Sequence, residues 1–117
     1  MNISGKTILL TGATGGIGRA IAQELSASGA SLILVSRDKD ALLQLKAQLA
    51  GEHQVCSTDI TDPLALAELV KFCQQQGPLH GLVNGAGIIG PNGPFWDTTP
   101  EQWDRVMQVN LRSTFLV

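Results

Sequence analysis

A glycine-rich stretch, TGATGGIG at residues 11–18, constrains this chain more than any other feature of its sequence. The apolar run before it, residues 7–10, has the length and the β-branched start of a buried strand. After it, Ile17, Ile21 and Leu25 recur at helical spacing, which predicts a helix that begins inside the glycine stretch. A strand, a glycine turn and a helix in this order are the setting in which a dinucleotide-binding turn occurs.

The glycine positions have a physical explanation in such a turn. Backbone N–H groups can approach a pyrophosphate closely where no side chains intervene, and the helix N-terminus adds unpaired donors and partial positive charge. We expect Gly12 to make the turn, Gly16 to permit the close approach and Gly18 to let the helix pack tightly on the strand. The alternative interpretation is an ordinary glycine-rich loop without a ligand.

The spacing resembles the T-G-x-x-x-G-x-G cofactor motif of the short-chain dehydrogenase/reductase family. This resemblance implies an α/β fold with a Rossmann-type, doubly wound parallel sheet, and an oxidoreductase that transfers hydride on a carbonyl/hydroxyl substrate. It also implies cofactor contacts from the following residues of the turn: Gly12, Thr14, Gly15, Gly16, Ile17 and Gly18.

Composition narrows the classes of protein further. The chain has 117 residues, enough for one domain, and its 44% hydrophobic and 15% charged content is typical of globular proteins. A net charge of −2 without a basic block argues against a nucleic-acid-binding surface, and no apolar run is long enough to span a membrane. Cys56 and Cys73 lack metal-ligand spacing, so we expect reduced thiols in a cytoplasmic protein without a metal.

Strands and helices alternate along the chain. Strands are predicted at about residues 6–10, 31–36, 54–57 and 81–84, and helices at about 16–28 and after the caps Asp38, Asp62 and Thr99. This alternation predicts a parallel sheet with right-handed crossovers. The polar and glycine clusters all follow strands, and therefore should meet at the carboxyl edge of the sheet, where ligands bind.

Ser36 and Arg37 end the second strand, where the family recognises the ribose of its cofactor. An acidic residue there would bind the ribose 2′-OH and repel a 2′-phosphate, whereas a basic residue accommodates the phosphate. The two residues therefore favour NADP(H) over NAD(H). Gly15 stands where many NADP-using relatives have a basic residue, so Arg37 is the main evidence; the alternative is an exposed loop arginine.

Asp59 and Ile60 follow the third strand. The resemblance implies that the carboxylate accepts a hydrogen bond from the adenine amine and that the isoleucine covers the ring. Taken alone, a loop aspartate is more often a turn former.

Asn84, Gly85, Ala86 and Gly87 resemble the family motif N-N-A-G, with Gly85 in place of the second asparagine. The motif implies that this segment stabilises the central strand and lines the ribose and nicotinamide side of the cofactor. A role for the second asparagine side chain does not carry over.

Asn110 is the candidate catalytic residue. Helical spacing predicts an inward face of Trp103, Val106, Met107, Asn110, Leu111 and Thr114. A buried amide must find partners, so Asn110 can simply bridge backbone groups. The resemblance implies instead the active-site asparagine that orders a water in the proton relay, and the two roles are compatible.

The family's catalytic serine and its Tyr-x-x-x-Lys pair have no counterpart here, and the sequence contains no tyrosine. We therefore expect residues 1–117 to be one incomplete dinucleotide-binding domain, truncated after the fourth strand and part of the following helix. Alone it should be inactive; the complete enzyme should be a homo-oligomer acting on a small carbonyl or alcohol. The alternatives are a nucleotide-binding module without chemistry and an S-adenosylmethionine methyltransferase, which Arg37 disfavours because that class needs an acid there.

Overall fold

Strand β1 (Thr7–Thr11) is an inner strand of a four-stranded parallel sheet in the computed structural model, which describes residues 1–117. The other strands are β2 (Ser31–Ser36), β3 (Gln54–Ser57) and β4 (Gly81–Asn84), and the order is β3-β2-β1-β4. Neighbouring strands pair in parallel throughout. The order and direction confirm the Rossmann-type sheet that strand–helix alternation predicted.

Helices connect the strands and follow the last of them. They are α1 (Gly16–Ala27), α2 (Lys39–Gln48), α3 (Pro63–Gln75), a short 3-10 turn (Phe95–Asp97), α4 (Pro100–Met107), a π-helical turn (Gln108–Arg112) and α5 (Ser113–Leu116). None of these helices is long and apolar enough to cross a membrane. The 3-10 turn lies in the segment that connects β4 to α4.

Helices α2, α3 and α4 begin directly after the capping residues that the sequence indicated. The Asp38 carboxylate accepts from the backbone N–H of Ala41, and Asp62 caps α3 in the same way. Thr99 and Gln102 form a reciprocal capping box at the start of α4. These local interactions satisfy N–H groups that the first helical turn leaves unpaired, which is why they can be read from sequence.

The core lies on both faces of the sheet. Leu10 and Leu34 belong to one cluster with residues of α1 and α2, and Ile33 and Val35 belong to another with Leu66 and Leu69 of α3. Alternate side chains of β2 therefore enter opposite layers, and the strand is buried from residue 32 to residue 35. Burial on both faces explains why its sequence is a continuous apolar run.

Of the three apolar residues at helical spacing on α1, Ile21 and Leu25 are partly buried and pack against the core, and Ile17 does not. Gly18, Ala22 and Ser26 are buried, whereas Ile17 is 78% exposed. A Cβ at Gly18 would overlap the carbonyl oxygen of Gly12, so the backbones of helix and turn are in contact there. Small residues bring α1 close to the sheet, and the larger apolar residues flank that line of contact.

The inward face of the last helix also differs from the prediction. Val109 and Ser113 are buried, whereas Trp103 is 61% exposed, Leu111 is 60% exposed, and Asn110 is exposed as well. The π-helical turn at Gln108–Arg112 contains an extra residue per turn and so rotates the faces that follow it, whereas Trp103 lies before that turn and is exposed in regular α-helix. The prediction assumed an uninterrupted period of 3.6 residues and was wrong on this point.

Candidate functional site

A cleft of about 330 Å³ opens where the carboxyl ends of the four strands meet. Its walls come from the segments after β1, β2, β3 and β4, and α4 with the π-helical turn closes the back. Ten of the residues that the sequence indicated line it: Gly12, Thr14, Gly15, Ser36, Arg37, Asp59, Ile60, Gly85, Ala86 and Gly87. The fold thus brings together four clusters that lie far apart in the sequence.

Five other candidates lie outside the lining. Gly16 and Ile17 are exposed on the first turn of α1, and Gly18 is buried beneath it. Asn84 is exposed at the end of β4, and Asn110 contacts the loop that follows that strand.

The glycine turn is fixed by backbone hydrogen bonds. Gly12 has a φ of 65°, a conformation that favours glycine, and the N–H of Ala13 donates to the carbonyl of Val35 across the sheet at 3.1 Å. The Arg19 guanidinium donates to the carbonyl of Thr14 at 2.9 Å. The turn therefore keeps its shape without side chains on the cleft floor at Gly12 and Gly15.

The N-terminus of α1 is open to an anion. Its N-cap residue is Gly15, which has no side chain to satisfy the free N–H groups, and the first turn contains no acidic residue. A Cβ placed at Gly16 would meet nothing within 4 Å, so the first residue of α1 borders open space. Uncapped donors at a helix N-terminus beside an open cleft fit a pyrophosphate group.

The turns after β1 and β4 are in backbone contact. The N–H of Gly85 donates to Thr11 Oγ1 at 3.2 Å, and a Cβ at Gly12 would overlap the backbone of Gly85. A Cβ at Gly85 would lie 2.6 Å from the carbonyl oxygen of Thr11. This contact explains why a glycine occupies that position of the N-N-A-G-like motif in this chain.

The edge of the cleft formed by β2 has a free cation. Arg37 is exposed, and its guanidinium makes no hydrogen bond or ion pair, while its carbonyl accepts from Ser57 Oγ at 3.0 Å. Asp38 also lines the cleft, and its carboxylate caps α2, as the sequence predicted. The guanidinium is therefore available to an anionic ligand, because no neighbouring carboxylate holds it.

Asp59 is a turn former and also a cleft residue. Its Oδ1 accepts from the N–H of Thr61 at 3.0 Å and from Thr61 Oγ1 at 2.7 Å. These two hydrogen bonds hold the pKa of the carboxyl below its usual value of 3.8, burial opposes the shift, and the charges of Arg37 and Arg105 add to it. Asp59 is thus an anion whose second oxygen has no protein partner.

The Asn110 side chain fastens the helix to the loop after β4. Its Oδ1 accepts from the N–H of Ile88 at 2.8 Å, and its Nδ2 donates to the carbonyl of the same residue at 2.9 Å. Both polar atoms of the amide are thus paired with one backbone unit, which is the structural role that the sequence analysis considered.

The sequence analysis assigned no ligand contact to seven lining residues: Val35, Asp38, Thr58, Thr61, Ile88, Arg105 and Val109. Arg105 and Val109 lie one helical turn apart on the last helix, and the predicted inward face of that helix contained neither. No cluster of three or more His, Cys, Asp or Glu side chains in the chain could hold a metal ion.

Comparisons with known proteins identify the family to which the sequence is similar. The family model described as short chain dehydrogenase matches residues 6–117. The chain is 35% identical over 120 residues to the short chain dehydrogenase/reductase dpmpG of Macrophomina phaseolina, covering 98% of this chain and 69% of that protein. It spans about half the length of most other curated relatives that it matches.

Two solved structures show the same arrangement with different cofactors. NAD+-bound xylitol dehydrogenase has a TM-score of 0.94 and 29% identity, covering 100% of this chain and 46% of that one. A metagenomic short-chain oxidoreductase in complex with NADP has a TM-score of 0.90 and 32% identity, covering 99% and 54%. The similar structures therefore include both dinucleotides.

Proposed function

This chain belongs to the short-chain dehydrogenase/reductase family, and from that membership we propose that the protein is an NADP(H)-dependent oxidoreductase. Its substrate would be a small molecule with a carbonyl or hydroxyl group, and the nicotinamide of the bound cofactor would supply the hydride-transfer chemistry. Because the chain spans about half the length of most relatives, this activity is proposed for the whole protein.

The glycine turn would bind the pyrophosphate. Support comes from the uncapped N-terminus of α1, the open space at Gly16 and the absence of side chains on the cleft floor at Gly12 and Gly15. Asp59 and Ile60 would receive the adenine, since a free carboxylate oxygen and an apolar side chain lie together there. The segment 84–87 would line the ribose and nicotinamide side.

The preference for NADP(H) rests on one observation, the unpaired guanidinium of Arg37 at the edge of the cleft. A 2′-phosphate there would gain charge-assisted hydrogen bonds, whereas a 2′-OH would gain much less. Asp38 also lines the cleft and weakens this preference slightly, although its Oδ1 caps α2 by accepting from the N–H of Ala41. Relatives bound to either cofactor resemble this chain, so its preference is proposed from its own residues.

As 117 residues, the chain would bind the dinucleotide without turning over a substrate. It contains no tyrosine, so the family's usual proton donor is absent, and Asn110 is proposed only to hold a water beside the reacting groups. This favours a nucleotide-binding module as the second candidate function. We further propose that the whole protein is a homo-oligomer and works in the cytoplasm, where Cys56 and Cys73 would stay reduced.

Binding constants test the proposal directly. We expect the wild-type protein to bind NADPH more tightly than NADH, and Arg37→Asp to lose roughly 10- to 150-fold in NADPH affinity, equivalent to about 1.5–3 kcal/mol. The matched control is Lys39→Asp, which changes the charge equally but lies outside the cleft lining. Equal affinities of the wild type for NADPH and NADH would overturn the cofactor assignment.

A further inference from the structure

Arg105 lines the cleft, and the family resemblance did not assign it a cofactor contact. It is half-buried on α4, and its guanidinium makes no hydrogen bond or ion pair with the rest of the chain. The one ion pair in the structure joins Lys71 and Glu68 on α3. A partly desolvated cation without a partner, at the back of a ligand cleft, has its donors and its flat face available to a ligand.

Arg105 and Asp59 face the same space from different elements. The positive charge of Arg105 helps to lower the pKa of the Asp59 carboxyl, as does that of Arg37. Neither guanidinium lies within ion-pair distance of the carboxylate, so a gap separates the charges. Asp59, Arg37 and Arg105 therefore line one cleft from three segments of the chain, with one cation after β2 and the other on α4.

Apolar side chains complete this part of the cleft. Val109 lies one helical turn after Arg105, and Ile60 lies next to Asp59; both are buried and both line the cleft. The pocket therefore combines two apolar walls, one carboxylate oxygen without a partner and one free guanidinium. A flat heteroaromatic base with an exocyclic amino group matches this set, because its ring fits apolar walls and its amine fits a carboxylate.

We propose that Arg105 is a cofactor-binding residue whose guanidinium contacts the adenine ring of the dinucleotide, opposite the Asp59 carboxylate. The inference rests on the proposed function of the cleft. The two arginines then have separate roles. Arg37 binds the 2′-phosphate and discriminates between NADP(H) and NAD(H), whereas Arg105 binds the adenine, which both cofactors contain. A guanidinium over an aromatic ring is a favourable contact that does not depend on the ribose substituent.

The test compares dissociation constants of Arg105→Gln for NADPH and NADH. We expect both to weaken by a similar factor, about three- to tenfold. Arg112→Gln is the matched control, because it removes the same charge from the adjoining π-helical turn at an exposed position outside the cleft, and its affinities should equal those of the wild type. Arg105→Lys should recover little, since it restores the charge without the flat face.

Other outcomes would overturn the inference. A loss confined to NADPH would make Arg105 a second phosphate contact, and unchanged affinities would remove it from the site. If the wild-type protein binds neither dinucleotide, the proposed function and this inference are both overturned. If the wild type and Arg105→Gln bind both dinucleotides equally well, only this inference is overturned.

A ligand-free measurement checks the same geometry. Removing the Arg105 charge should raise the pKa of the Asp59 carboxyl, measured by NMR titration, and Arg112→Gln should leave it unchanged. An unchanged Asp59 pKa in Arg105→Gln would show that the two groups do not face one another across the cleft.

Discussion

Gly16 and Gly18 stand two residues apart in the glycine turn, but a side chain would have different effects at each. A Cβ at Gly16 enters open space, whereas one at Gly18 overlaps the carbonyl oxygen of Gly12. The motif predicted different roles for the two glycines, a close ligand approach at Gly16 and tight helix packing at Gly18. The contact between Gly18 and Gly12 agrees with the second role, and the open space at Gly16 is compatible with the first.

We therefore expect one substitution to abolish NADPH binding without loss of stability, and the other to lower the stability of the fold. Gly16→Val should keep the melting temperature near that of the wild type and abolish NADPH binding, because the side chain fills the space before the helix N-terminus. Gly18→Ala should lower the free energy of unfolding by about 1–3 kcal/mol, because the backbone must shift. Calorimetric melting and NADPH titration of both variants check this; unchanged NADPH affinity in Gly16→Val would contradict the pyrophosphate assignment.

Asp59 gives a prediction about pH. Its pKa is held below 3.8 mainly by Thr61, so the folded state binds this proton less readily than the unfolded state. The resulting contribution to stability is present above the ordinary pKa and is lost as the pH falls through the folded-state pKa. In Thr61→Val we expect the Asp59 pKa, followed by NMR, to rise toward 3.8. The remote variant Thr114→Val is the control. An equal rise of the Asp59 pKa in both variants would contradict the assignment of the shift to the hydrogen bonds from Thr61.

His53 shows what sequence cannot reveal about single residues. It is 2% exposed; its Nδ1 accepts from the N–H of Leu32 at 3.1 Å, and its Nε2 lies 2.8 Å from the carbonyl of Ala50. Caps such as Asp38 are local, with partners three residues away, and were predicted correctly. The partner of His53 lies twenty-one residues away on β2, and no periodic pattern reports such a contact.

At the scale of elements, the segment 100–116 departs most from the sequence analysis. The capping box at its start was predicted, because it depends on two residues at fixed spacing. The π-helical turn was not predicted, because one extra residue per turn leaves no composition signal. Two hydroxyl groups of α5 donate back to carbonyls of this turn: Ser113 Oγ to Val109, and Thr114 Oγ1 to Asn110 at 3.1 Å.

The amide of Asn110 is the connection between this helix and the loop after β4. In Asn110→Ala both hydrogen bonds to Ile88 are lost, and we expect the free energy of unfolding to fall by about 1–2 kcal/mol. Amide hydrogen exchange should show lost protection at Ile88, which donates one of the two bonds. Gln108→Ala, at an exposed position on the same turn, is the control. Retained protection at Ile88 would show that the loop is held by other contacts.

At the scale of the whole molecule, the parallel sheet followed from the alternation of apolar runs and helical patterns. The cleft was anticipated in outline, because the carboxyl ends of parallel strands share one edge and most of the indicated clusters follow strands. Its back wall was not anticipated: Arg105 and Val109 come from a helix that follows β4 and yet line the same cleft as Asp59 after β3. That arrangement depends on tertiary packing, which strand and helix periods do not encode.

The central claim is that a pyridine dinucleotide binds in the cleft at the carboxyl edge of the sheet. The most direct test is to titrate the isotope-labelled protein with NADPH and follow the backbone amide NMR signals. We expect saturable shifts in the segments 12–18, 36–38, 58–61 and 85–88, and none at Thr7, Ser31, Gln54 and Gly81, which begin the strands at the opposite edge. Shifts centred on that opposite edge, or no saturable shift in the glycine turn, would contradict the account.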